Sequence, residues 1–281
     1  MDLFETFLQE KKFLTGVTPK TISTYQCAYK AYQRVAGNGL PTKQSLKQFV
    51  IQMQKNGMSV CGINSYARSL NSFLSWLYKE GYVSEPLRLA LLKEEKRVFK
   101  PLTDQQLRAI LSFKPQRFGE RRFQVLLCVA LDTGTRIEEL ITLERENVDF
   151  DNLLLKVRGK GKKERILPIS GECRKALFKF VQKHSHSLVF CTRDGGKLRY
   201  DNLRRDWVQL MARLGIETEG AFHSLRRTFA TNFAREGGNL FALQRILGHA
   251  SISTTQRYVG LSIQDLSLVH QKTSLLGRLR V

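Results

Sequence analysis

The chain has no CxxC pair, no long apolar run and a shortage of acid, and each lack removes a class of protein. Its five cysteines, Cys27, Cys61, Cys128, Cys173 and Cys191, are scattered and odd in number. That argues against a disulfide framework and against a thiolate zinc site, and leaves free, mostly buried thiols. No apolar run reaches the ~18 residues needed to cross a bilayer, so no membrane span is expected. The opening segment MDLFETFLQEKKF is acidic and amphipathic, unlike a secretory signal or a transit peptide, and a cytosolic protein is expected. No cluster of three separated carboxylates stands out for Mg²⁺, which weakens a metal-dependent nuclease or transposase. His184 and His186 lack Cys or acidic partners at ligand spacing. The expectation is no metal and no cofactor.

What the chain has in excess is positive charge: 46 Lys and Arg against 25 Asp and Glu leave a net +21 and a pI near 10.0. Lys and Arg that neutralise phosphates release counterions and supply most sequence-independent nucleic-acid affinity, so DNA or RNA is the first candidate partner. An anionic membrane surface or a basic scaffold accounts for the charge alone.

A length of 281 residues suits two domains with real cores. Apolar spacing and stop signals predict four helices in the first 84 residues: one over Asp2 to Phe13, one starting at Thr18-Pro19, one from about Thr42 to Gly57, and one ending at Gly81. Lys20, Lys30, Lys43, Lys47, Lys55 and Arg68 fall on the polar faces of this compact unit, where plain solvation explains them as readily as DNA contact does. Residues 85–100 lose the apolar face and lead to Pro101, which reads as a connector, with the boundary near residue 98.

The second domain, expected over 101–261, opens with a helix at Thr103 and an apolar one over Arg122 to Leu131. Thr135-Arg136-Ile137-Glu138 reads as a hydroxyl-x-x-Glu capping box. It would put Arg136 in a helix's first turn, among free N–H groups and at the positive end of the dipole, which makes an anion site. Glu139 beside it would orient a neighbour or face solvent. Leu153 to Val157 and Glu164 to Ile169 predict antiparallel strands around RGKGKK, with Gly159 and Gly161 forming a mobile turn. Lys160, Lys162 and Lys163 are equal candidates there to touch a phosphate. Cys173 to His184 reads as helix, Leu188 to Cys191 as a short strand and Asp201 to Leu214 as helix, all scaffold.

The densest stretch is Ala221 to Val259. Leu225, Phe229 and Phe233 recur every four residues before Gly237-Gly238, so His223 and Arg226 lie one turn apart and can address one point. A phosphate suits that point. Leu240 to Leu247 predicts a helix closed by Gly248, and His249 follows at once. Ser253-Thr254-Thr255-Gln256 reads as another capping box, which would place Tyr258 on a short helix soon after His249.

With Arg136, a glycine-flanked Lys160, His223-x-x-Arg226, His249 and Tyr258 in that order, the sequence resembles the tyrosine recombinases, the phage-integrase-like enzymes. The likeness covers about Pro101 to Gly260, through TGTRIEEL, RGKGKKER, HSLRRTFAT and LGHASISTTQRYV. It implies a mainly α fold with a small antiparallel β-sheet: an N-terminal, SAM-like four-helix core-binding domain over 1–84, a linker over 85–100 and an α+β catalytic domain over 101–261.

The resemblance also implies roles. Arg136 and Arg226 clamp the scissile phosphate, Tyr258 attacks it, Lys160 protonates the leaving 5′ oxygen, His223 and His249 assist, and Glu139 supports the site from behind. Lys20, Lys43, Lys47, Arg68, Lys162, Lys163 and Arg227 are the expected DNA contacts. The implied partner is double-stranded DNA carrying recombination sites, bound by a homotetramer, with an accessory DNA-bending or directionality factor, in the nucleoid. Because the first helix starts almost at residue 1, a simple Xer-like or mobile-element recombinase is expected. The closing segment 262–281 keeps Ile263, Leu266, Val269, Leu275, Leu276 and Leu279, and it is expected to dock on a neighbouring protomer. A type IB topoisomerase and a catalytically silent DNA-binding protein are the alternatives.

Overall fold

The computed structural model describes residues 2–94, 100–159, 161, 163–218, 220–249, 251–256 and 267. Lys160, Lys162, Tyr258 and, apart from Ser267, the closing segment lie outside the described residues. The chain divides into two compact units, Met1–Arg97 and Val98–Val281. Among the described residues it is mainly helical with one small antiparallel sheet, as expected.

The first unit holds four helices: α1 Leu3–Phe13, α2 Pro19–Ala36, α3 Lys43–Lys55 and α4 Val60–Lys79. Local chemistry sets their starts. The side chains of Asp2, Thr18, Thr42 and Ser59 each accept a hydrogen bond from a backbone N–H in the first turn that follows, satisfying donors that the helix leaves over. The core is aromatic: Phe4 stacks on Tyr29 with centroids 3.8 Å apart, Phe73 stands edge-on to Phe4 at 5.1 Å, and the buried Trp76 donates its indole N–H to Glu10 at 2.6 Å.

Residues 85–94 depart from expectation. They form no helix or strand, yet two asparagines seven residues apart on one face of α4 strap them down. Asn71 exchanges a pair of hydrogen bonds with the Leu89 peptide (2.8 and 3.0 Å), and Asn64 does the same with Leu92 (2.8 and 2.9 Å). Leu89 is buried in the four-helix core. This stretch belongs to the first unit rather than to a free connector.

The second unit comprises α5 Asp104–Ser112, α6 Phe118–Thr133, α7 Ile137–Leu140, β1 Val148–Asp149, β2 Leu154–Arg158, β3 Glu164–Pro168, α8 Gly171–Val181, α9 Tyr200–Leu214, α10 Phe222–Arg235, α11 Leu240–Leu247 and α12 Ile252–Gln256. The sheet order is β1-β2-β3, all antiparallel, with Leu155 facing Leu167 and Val157 facing Arg165. Helix α6 buries Phe123, Leu126, Leu127, Val129 and Ala130 and packs on both α8 and α10, so it is the unit's central post.

Several local expectations need correction. β1 was not legible, because two residues carry no periodicity. Leu188 to Cys191 is no strand; single bridges Glu144–Leu188 and Cys191–Lys197 stand there instead. Of the thiols, Cys173 and Cys191 are buried and Cys128 half-buried, but Cys27 and Cys61 are exposed.

Gly134 ends α6 in the left-handed conformation, φ +62°, where glycine avoids the clash that a side chain suffers. A Cβ there would stand 2.4 Å from Phe229 Cδ1 and 3.0 Å from Leu247 Cδ2. Gly134→Ala is therefore expected to cost about 2–4 kcal/mol, strain and overpacking together, in urea unfolding. An unchanged midpoint would show that α10 and α11 can shift aside.

Candidate active site

Three chain segments meet around the C-terminal end of α11: the loop from Gly134 to Glu139, strand β3, and the first turns of α10. Arg226 is the centre. It stands one turn into α10, on the face packed against α6, and is 3% exposed. Its Nη1 donates to the Gly134 carbonyl at 2.7 Å, and its Nη2 to the Leu247 carbonyl at 2.6 Å. Both oxygens lie at helix C-termini, where carbonyls lack intrahelical partners and the dipole favours a cation.

Arg136 approaches the same Leu247 oxygen, with Nη1 at 3.4 Å. Its backbone differs from expectation. Arg136 is the cap of the four-residue α7, and the cap's partner is Glu139, which accepts from the Arg136 N–H at 2.8 Å. Glu138 of the expected box is exposed, and the Thr135 hydroxyl is tied to that of Thr133 at 3.0 Å. The hydroxyl-x-x-Glu pattern fits Thr135 alone, but the helix starts one residue later, and the buried Glu139 takes the cap N–H in place of Glu138.

Glu139 is buried beneath this group. It accepts from Arg136 Nη1 at 3.1 Å and from both terminal nitrogens of Arg165 at 2.8 Å each. Burial alone would raise its carboxyl, but the Arg165 fork, followed by Arg136, more than offsets that and holds it below the usual range. Arg165 was missed in the sequence. Its alternation with Leu167 on β3 points it inward, and an inward arginine on a short strand is the signal that could have found it.

His223 lies one turn before Arg226 on the exposed side of α10. With Thr135, Arg136, Glu138, Tyr200 and Arg226 it lines a small cleft. Loss of solvation and then the nearby Arg227 depress its imidazole below the ordinary value, so it is neutral at pH 7.

His249 follows Gly248, which closes α11 at φ +64° as expected. Its Nε2 is 2.9 Å from Arg226 Nη2, and a guanidinium only donates, so Nε2 accepts. The ring proton therefore sits on Nδ1 and is donated to the Thr255 hydroxyl at 2.8 Å. Thr255 is fully buried on α12, a second residue that sequence reasoning did not single out. That helix starts at Ile252, so Ser253 lies inside it and not at its cap.

Desolvation, then Arg226, Arg136 and Arg165, push the His249 imidazole down to about 4. An unfolded imidazole titrates near 6.5. Between these values the unfolded chain binds more protons than the folded one, so this contribution is complete above pH 6.5 and is lost as pH falls toward 4. His223 acts in the same sense, and Glu139 adds only below about its ordinary 4.5. The expected result is a His249 ring resonance that stays in the neutral form to about pH 4 in NMR titration, while the urea midpoint falls across that window. A ring titrating near 6.5 would contradict the assignment.

The expected DNA contacts are dispersed. In the first unit Lys20, Lys43, Lys47 and Arg68 are all exposed; Lys43 pairs with Glu85, and Arg68 with Glu94 at 3.1 Å. In the second unit Lys163 is exposed and its carbonyl accepts from the Gly159 N–H at 2.8 Å, while Arg227 is partly exposed on α10. Among the described residues, no three His, Cys, Asp or Glu side chains gather as metal ligands, and no helix is long and apolar enough to cross a membrane.

A mainly helical unit that brings two guanidinium groups and one imidazole to one cleft, with a second imidazole held against Arg226, has the equipment of a phosphoryl-transfer enzyme. The phage integrase family matches residues 100–264, and the chain belongs to that family, the tyrosine recombinases. The chain is similar to tyrosine recombinase XerA of Thermococcus kodakarensis, 31% identical over 98% of this chain and 95% of that protein. In fold it is similar to the Tn1549 transposon integrase in complex with transposon right end DNA, with a TM-score of 0.81, 19% identity, and 98% and 99% of the two chains covered. It is also similar to lambda integrase, solved as a tetramer bound to a Holliday junction, with a TM-score of 0.72, 19% identity, and 89% and 77% covered.

Proposed function

We propose that this chain is a site-specific DNA strand transferase that cuts and rejoins duplex DNA through a 3′-phosphotyrosyl link at Tyr258 and exchanges strands through a Holliday junction. The observation that carries the reading is the convergence of Arg136 and Arg226 on the single Leu247 oxygen, beside a small cleft that both arginines line with His223. Guanidinium forks match phosphate oxygens and stabilise the extra charge of five-coordinate phosphorus. A phenol titrates near 10 and is a poor nucleophile at pH 7, so it needs a phosphate already neutralised and a base close by.

In the step itself the Tyr258 oxygen bonds to phosphorus and the bond to the 5′ oxygen breaks. Lys160 gives the leaving oxygen its proton, and neutral His223 takes the proton of the tyrosine. His249, with its lone pair toward Arg226, orients that arginine. The tyrosyl phosphodiester keeps the energy of the broken bond, so a second 5′ hydroxyl reseals the strand without nucleotide fuel. Reversal is built in.

In the same reading residues 1–84 are a core-binding domain, residues 101–261 the catalytic domain, and 262–281 a tail that docks on the next protomer of a DNA-bound homotetramer. An accessory bending or directionality factor would set the outcome, and the exposed Lys20, Lys47 and Lys163 and the partly exposed Arg227 would meet backbone phosphates. The work site is the nucleoid. The test is incubation with a nicked half-site in EDTA, which should trap a protein–DNA adduct that survives denaturant. No adduct, or one that requires a divalent ion, would remove the mechanism.

A further inference from the structure

Arg165 has no part in the steps above, yet its side chain is held on three sides. Nη1 and Nη2 take both oxygens of Glu139 at 2.8 Å, and Nε donates to the Ile246 carbonyl at 2.7 Å. Its stem lies against Gly248, where a Cβ would come within 3.2 Å of Nη1 and 3.3 Å of Cδ. The side chain is 13% exposed and that of Glu139 3%. A planar fork so engaged, with little water to compete, is fixed in direction as well as in place.

The position of this clamp matters more than its strength. Arg165 is two residues after Lys163, whose carbonyl closes the β2–β3 connection through the Gly159 N–H, and it faces Val157 across the sheet. It thus ties the base of the hairpin to α7 through Glu139 and to the end of α11 through Ile246. The next residues of α11 supply the Leu247 oxygen used by both active-site arginines, and His249 follows. Through this side chain strand β3 is tied to the elements that hold the arginine pair.

We propose that Arg165 is a positioning residue that registers the β2–β3 hairpin against the end of α11, so that the hairpin's proton donor meets the leaving 5′ oxygen. The proposal rests on the reading of Lys160 as that donor. A residue that acts only through folding slows every substrate alike; one that acts through the acid slows only substrates that need a proton.

The test compares two nicked half-sites, one with the natural 5′ oxygen at the scissile bond and one with sulfur in its place, which leaves as a thiolate and needs no proton. Arg165→Gln should cleave the oxygen substrate about a hundredfold more slowly than the unaltered protein and the sulfur substrate within about tenfold of it, the range that loss of general-acid help predicts. Arg165→Lys keeps the charge without the fork and should show a smaller bias of the same sign. Should the Gln variant fail to unfold cooperatively in urea, the Lys variant carries the comparison. Arg136→Ala, by contrast, should be slow on both. Equal losses on the two substrates, or unaltered rates in both variants, would overturn the role given to Arg165. If the unaltered protein formed no adduct with either substrate, the phosphotyrosyl reading would fail instead.

Discussion

Tyr258→Phe is expected to abolish the covalent adduct on a nicked half-site while leaving retention of the same DNA in a gel shift unchanged. The substitution removes one oxygen and keeps the ring, so packing and charge are preserved and only the attacking atom is lost. A second phenol makes the experiment discriminating. Tyr200 lines the cleft with Arg136, His223 and Arg226. Burial, then the negative Glu138, raise its hydroxyl above the ordinary value, which makes it a poorer nucleophile than a free tyrosine. Tyr200→Phe should therefore keep adduct formation. If Tyr258→Phe still became linked to DNA and Tyr200→Phe did not, the assignment of the nucleophile would be reversed.

Arg226→Ala should be nearly as damaging, on two axes that can be measured separately. On the chemical axis, removal of one donor to the charge that develops on the phosphate should slow adduct formation by about 10²–10³. On the structural axis, the change takes the Arg226 donor from the Gly134 carbonyl and the His249 Nε2, and leaves the Leu247 oxygen with the longer bond from Arg136, in a place where Arg226 is 3% exposed. Unsatisfied buried acceptors cost about 1–3 kcal/mol, to be read as a fall in the urea midpoint. Arg226→Lys keeps the charge, but a single ammonium cannot span both carbonyls in the geometry of the fork, so stability should recover more than rate. A variant that loses stability yet cleaves within tenfold of the unaltered protein would make Arg226 a structural strut only.

The parts of this molecule that were legible in its sequence are those governed by near neighbours. The starts of α2 and α3 follow from Thr18 and Thr42, and the end of α11 from Gly248, because caps and left-handed stops act within one turn. The same holds for His223 and Arg226, whose spacing of three residues sets them one turn apart on α10, so that both line the cleft. What stayed hidden depends on contacts far along the chain. Arg165 meets Glu139 across 26 residues and Ile246 across 81, and no local pattern registers either. The strap of residues 85–94 onto α4 is hidden for the same reason: Asn64 and Asn71 look like ordinary polar positions until the chain folds back over them. The misplaced capping box near Arg136 is a third kind of failure: the Thr135 hydroxyl stands three residues before Glu138, yet the helix starts one residue later and the buried Glu139 takes the cap N–H.

The shared oxygen at Leu247 gives this cleft an unusual form of insurance. It is main chain, so no change of side chain at 247 can delete it; such variants will register in packing while the two cations keep their common rest. Before any DNA arrives, that peptide group already holds together two like charges that would otherwise drift apart, and a phosphate need only take over a partnership that is waiting. Changes that unwind the last turn of α11 are the ones to watch, for they would scatter the pair without touching either arginine.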